Sequence, residues 1–152
     1  MSYIAGADIS RIDTTQAFAL GTVFQDSDGK VYKYLQYVEG TAAVDGVAGE
    51  VAYYYEDSGP IDGKVSSDVS DCTGSIGAGV LQAVMSDLEY GWFQIKGPAT
   101  LSIALTAGAD GNALTGVGAG DGALDVSGAV TDAVVAYAVD ASAKIILCDF
   151  PY

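Results

Sequence analysis

Apolar and aromatic residues in this chain fall in short runs separated by clusters of Gly, Asp and Ser, the punctuation of many short strands and tight turns. In "GTVFQDSDGKVYKYLQYVEG", Val23 to Gln25 and Lys30 to Glu39 are strand-like, and "DSDG" between them is a turn with Gly29 free to take positive φ. Along the second strand Tyr32 and Tyr34 share one face, while Val31, Leu35 and Tyr37 share the other. Both faces are apolar or aromatic, so the pattern predicts burial by the core on one side and by something else on the other.

The next strand is Val51 to Glu56, with three consecutive tyrosines; alternation predicts that Tyr54 faces outward. Residues 57–71 read as a turn, a short polar strand and another turn, with Ser66 to Ser70 as an exposed edge. Residues 79–86 are expected as a strand, although Val80, Leu81, Val84, Met85 and Leu88 fit helical spacing equally. Trp92 to Lys96 is a strand, Gly97-Pro98 a break, and Leu101, Ile103 and Leu105 alternate as in a half-buried strand. In the Gly/Ala/Asp-rich stretch that follows, short strands are expected at 113–115 and 123–126. Residues 133–139 and 144–150 form a hairpin around "DASA", with a helix at 133–142 as the rival.

The first residues differ. Ile4, Ile9, Ile12 and Phe18 stand isolated among small polar residues, so residues 1–16 are read as an arm, ordered only where it docks. The remainder, 17–152, is read as one β-rich domain. The expected fold is all-β, a small antiparallel β-barrel or tulip-like sandwich with an extended N-terminal arm.

Composition sharpens this. The 152 residues suit one domain, and 20 Gly against 3 Pro suit many turns. With 20 acidic and 6 basic residues, the formal charge is −14. That charge opposes nucleic acid and anionic membranes, because no basic patch exists to release counterions. Cys72 and Cys148 lack zinc spacing; buried free thiols are expected, with one bridge as the alternative. "MSYIAGADIS" has neither the basic nor the apolar region of a secretory leader, and no apolar run is long enough for a membrane span, so a soluble chain made in a cytoplasm is expected.

Catalytic chemistry finds little support. The chain has no His, the commonest general base. "GVGAGDG" lacks the Lys-Ser/Thr of a phosphate-cradling loop, and "DSDGK" and "GADGN" lack the ligand series of a calcium loop. The reading is a non-enzyme with no cofactor and no metal. For binding, Trp92 on a strand is ordinarily core, but Lys96 at the same parity tips that face toward the surface, with Phe93 and Ile95 as the inward pair.

"YGWFQIKGPATLSI", a Gly/Asp-rich meander and then "DAVVAYAVDASAKIILCDF" together resemble the C-terminal half of small head proteins of tailed phages, including capsid decoration (cement) proteins. Tyr90, Gly91, Trp92, Gln94, Gly97 and Pro98, then Ala133 to Ala138, carry the resemblance; residues 20–40 are similar to the opening strands of such proteins, and 57–75 depart from them. The resemblance implies a β-rich plug on the outer capsid surface of the virion, often a homotrimer, bridging copies of the major capsid protein. Ile4, Ile9, Arg11 and Ile12 in the arm, with Tyr54, Trp92 and Lys96 on the body, are the candidate contacts. The rivals are a phage tail, fibre or adhesion module that stacks Tyr54, Tyr55 and Trp92 on a host glycan, and an enzyme working through carboxylates alone.

Overall fold

A computed structural model of the chain describes residues 3–4, 6–56 and 59–152. Their strands are β1 (Tyr3–Ile4), β2 (Val23–Gln25), β3 (Val31–Tyr37), β4 (Val51–Tyr54), β5 (Lys64–Ser66), β6 (Gly77–Leu81), β7 (Tyr90–Thr100), β8 (Ala113–Thr115), β9 (Asp125–Val126), β10 (Ala136–Asp140) and β11 (Ile145–Asp149). The helical content is one short turn, α1 (Gly59–Asp62), and two 3₁₀ turns at Val69–Asp71 and Thr73–Ser75. The fold is all-β, as expected.

Strands β3, β5, β4, β6 and β7 pair in that order, and β3 pairs back to β7, closing a five-stranded barrel. The barrel is mixed rather than antiparallel, because β3 and β5 run parallel. Its interior holds Leu35, Tyr37, Ala52, Tyr54, Val65, Ala78, Leu81, Met85 and Phe93. Alternation along β3 sends Leu35 and Tyr37 into this core and Tyr32 and Tyr34 to the outside.

Two further layers cover the outside of the barrel. Over β3 and the start of β7, Ala7 and Ile9 of the arm, with Phe18 and Leu20 just beyond it, pack against Phe24, Tyr32, Tyr34 and Trp92. The rings meet edge-on, with Phe18 and Tyr34 centroids 5.2 Å apart and Tyr34 and Trp92 also 5.2 Å apart. A polar clamp fixes the register: Asp13 exchanges backbone bonds with Tyr90, and the Tyr34 hydroxyl donates to Asp13 Oδ2 at 2.8 Å. The "something else" over Tyr32 and Tyr34 is therefore the chain's own arm. Over β4 and β6, residues Val51, Tyr53 and Val80 are covered by Ala99, Leu114, Ala136, Ile146 and Cys148 of the C-terminal sheet, with Leu101 and Phe150 just past its strand ends. Cys72 and Cys148 are buried free thiols.

Several expectations fail for reasons that lie outside the local sequence. Gly97-Pro98 does not break β7, which runs through it to Thr100. Bonds from Leu101 N–H to Lys144 O and from Phe150 N–H to Ile95 O set the odd residues toward β11. The missing donor of Pro98 therefore points the other way, beyond the start of β3, and no ladder bond is lost. Ser66 to Asp68 are not an exposed edge: β5 sits between β3 and β4, and all three residues are buried. Small hydroxyls make this tolerable, since Ser67 Oγ meets the Tyr37 hydroxyl at 2.7 Å. Leu101, Ile103 and Leu105 keep the expected alternation of burial but form no strand. The hairpin at the C-terminus is present, and the rival helix is not.

Candidate docking surface

Every β-sheet in this fold has two faces, and one face of the C-terminal sheet is bare. Strands β7, β11, β10 and β8 lie side by side, all antiparallel. Their inward residues are the Ala99, Ile146, Cys148, Ala136, Ala138 and Leu114 of the core. By alternation the intervening residues point to solvent. Register places Pro98 opposite Leu147, Leu147 opposite Tyr137, and Tyr137 opposite Ala113, a continuous apolar row across four strands. Beside it lie Thr100 and Ile145, also a cross-strand pair, with Val139 further along β10. Tyr137, Val139 and Leu147 are 43%, 54% and 45% exposed, high for large apolar side chains in so acidic a chain.

The charges stand at the ends of this face. At one end Lys96 donates to Asp149 Oδ1 at 2.6 Å, and its ammonium lies 4.8 Å from the Tyr152 ring centroid. At the other, Asp140 accepts from Ala143 N–H and Ser142 Oγ in the β10–β11 turn. Between them no side chain is charged at pH 7. The arrangement, apolar centre and charged rim, is that of a protein–protein contact. Next to it a groove of about 490 Å³ is lined by Lys30, Gln82, Gln94, Pro98, Thr100 and Ile145, among other residues, and among the described residues no carboxylate lines it.

The residues expected to make contacts are distributed differently. Trp92 and Tyr54 are 1% and 4% exposed. Trp92 is roofed by the arm, and closure of the barrel turns Tyr54 inward, so neither is a surface residue. The parity argument that joined Trp92 to Lys96 fails at a bulge: Tyr32 pairs with Gln94 and Val31 with Lys96, leaving Ile95 as the extra residue. The same bulge splits the expected inward pair, with Phe93 in the barrel and Ile95 in the core beneath the C-terminal sheet. Lys96 does border the bare face. In the arm, Ile9 and Ile12 are half-buried against the chain's own barrel. Arg11 is exposed and pairs with Asp13 at 2.6 Å. Ile4 lies in β1, whose backbone pairs with β2; its side chain is outside the described residues.

Sequence reasoning missed Tyr137 and Leu147. The signal was present, since "AVVAYAVD" and "AKIILCD" are apolar at both parities, as "VYKYLQY" is. A strand apolar on both faces needs two covers, and for β10 and β11 the chain supplies one. Comparison with protein-family models, curated proteins and solved structures finds no match to this chain.

Proposed function

We propose that the protein is a capsid decoration protein, one that binds the outer surface of an assembled viral head through the bare face of its C-terminal sheet and reinforces the junctions between major capsid protein subunits. The row Pro98–Leu147–Tyr137–Ala113 carries this reading: it is a continuous apolar surface on a hydrogen-bonded sheet, with no cover among the described residues. The charge of −14 fits a protein that meets other protein rather than packaged genome. Copies joined as the trimer implied by the resemblance gain in hold by linkage, because separating one seam must break several contacts. A tail or adhesion module that stacks sugars on Tyr54, Tyr55 and Trp92 keeps only the half-buried Tyr55, since Tyr54 and Trp92 are buried.

The test is co-sedimentation with empty heads together with the temperature at which heads fall apart. Wild-type protein is expected to pellet with heads and raise that temperature. Leu147→Asp with Tyr137→Asp should abolish both effects while leaving the circular dichroism of the free protein unchanged. Heads that disassemble at the same temperature with and without the protein would overturn the reading.

A further inference from the structure

One side chain interrupts the apolar interior of the barrel. Lys33, flanked in register by Val23 and Phe93, is 9% exposed. Its ammonium donates to the Tyr54 hydroxyl at 2.8 Å and stands 5.5 Å from the centroid of that ring. Among the described residues this is the only acceptor it reaches, and Lys33 belongs to neither ion pair. An ammonium has three donors, so two remain unused. Because the Tyr54 oxygen accepts from Lys33, its own proton is free to donate, and it finds no acceptor among the described residues.

These donors converge on a cavity of about 120 Å³. Its other walls are Leu20, Leu35 and Ile61, with Gly21 and Gly63, and no carboxylate lines it among the described residues. At roughly 30 Å³ per water, that is space for about four non-hydrogen atoms. Gly21 has φ +85°, and a Cβ there would meet nothing nearer than Lys33 Cε at 4.0 Å, so the lysine end is not crowded. Burial pulls the Lys33 ammonium below the usual lysine range.

An ammonium and a phenol proton side by side, in a small, partly open cavity with leucine and isoleucine walls, match a planar group with two acceptor oxygens and a short hydrocarbon remainder. We propose that Lys33 and Tyr54 form a binding site for a short-chain carboxylate anion, one oxygen held by the Lys33 ammonium and the other by the Tyr54 hydroxyl. The charge-assisted bond to Lys33 supplies most of the affinity, and the phenol sets the orientation.

The test is a titration of the isotope-labelled protein with sodium acetate at constant ionic strength, followed by amide NMR, with acetamide as the neutral isostere and sodium chloride as the ionic control. Saturable shifts of the Gly21, Leu35 and Gly63 amides are expected at millimolar acetate, with acetamide giving none and chloride binding more weakly. Lys33→Met keeps the bulk without the charge and should weaken acetate binding by about tenfold or more. Lys33→Gln serves as a second variant, retaining a donor but no charge, with the same expected loss. Tyr54→Phe should weaken binding by about fivefold. The proposal is overturned if wild-type protein shows no saturable shift, if chloride binds as tightly as acetate, or if a folded Lys33 variant keeps wild-type affinity.

Discussion

Strand β7 passes through two surroundings. Its first half carries Trp92 beneath the arm, among Phe18, Tyr34 and Phe24. Its second half carries Pro98 in an apolar row open to water. Both surfaces are apolar by sequence, and both lie on rigid sheet. The chain covers one with a segment of its own and leaves the other bare. Apolar composition alone therefore does not mark a docking site; what marks it is an apolar face for which the chain provides no cover.

Substitutions should separate the two surfaces, and the largest effect is expected under the arm. Trp92→Ala should cost about 3–5 kcal/mol in denaturant unfolding, the range for emptying a buried aromatic site. If it costs no more than a surface change, the arm is not a true cover. High pH should act on the same layer. Burial raises the hydroxyls of Tyr32 and Tyr34, and of Tyr54 inside the barrel, to about 12. Their protons are held more tightly folded than unfolded, where tyrosine titrates near about 10. The stability they contribute is complete below pH ~10 and is lost as pH climbs toward about 12. Tyrosinate absorbance for these residues should rise together with loss of the circular dichroism signal, not before it.

Asp13→Ala comes next. It strands the buried Tyr34 hydroxyl, whose acceptor is Asp13 Oδ2, and should cost about 2 kcal/mol. Amide exchange should speed up over residues 6–18 first. The smallest effect belongs to the bare face. Leu147→Ser and Tyr137→Ser should each change unfolding free energy by no more than about 0.5 kcal/mol. A cost of several kcal/mol would mean that this face is packed in the free protein, and the contrast would collapse.

Much of the architecture was legible in the chain. The β2–β3 hairpin, the two-faced pattern of β3 and the closing hairpin of β10 and β11 all follow from alternation and turn residues. Alternation states that a face is apolar; it does not state what covers it. That is why Trp92 and Tyr54 read as surface residues and Tyr137 and Leu147 did not. Ser66 and Ser67 look solvated because serine is polar, yet barrel closure, a contact between segments distant in sequence, buries them with partners for their hydroxyls. A single inserted residue at Ile95 undid the parity that joined Trp92 to Lys96. The Lys33–Tyr54 pair needed the closed barrel, which brings together side chains 21 positions apart.

The Gln94 side chain gives its amide to two backbone carbonyls, Pro98 O at 2.9 Å and Lys96 O at 3.1 Å. Pro98 has no N–H to offer. Together they leave the free border of β7 with little for another backbone to grip, although a sticky plane lies alongside. Crowded molecules then have a plane to press onto a neighbour but little strand border along which to zip into fibres.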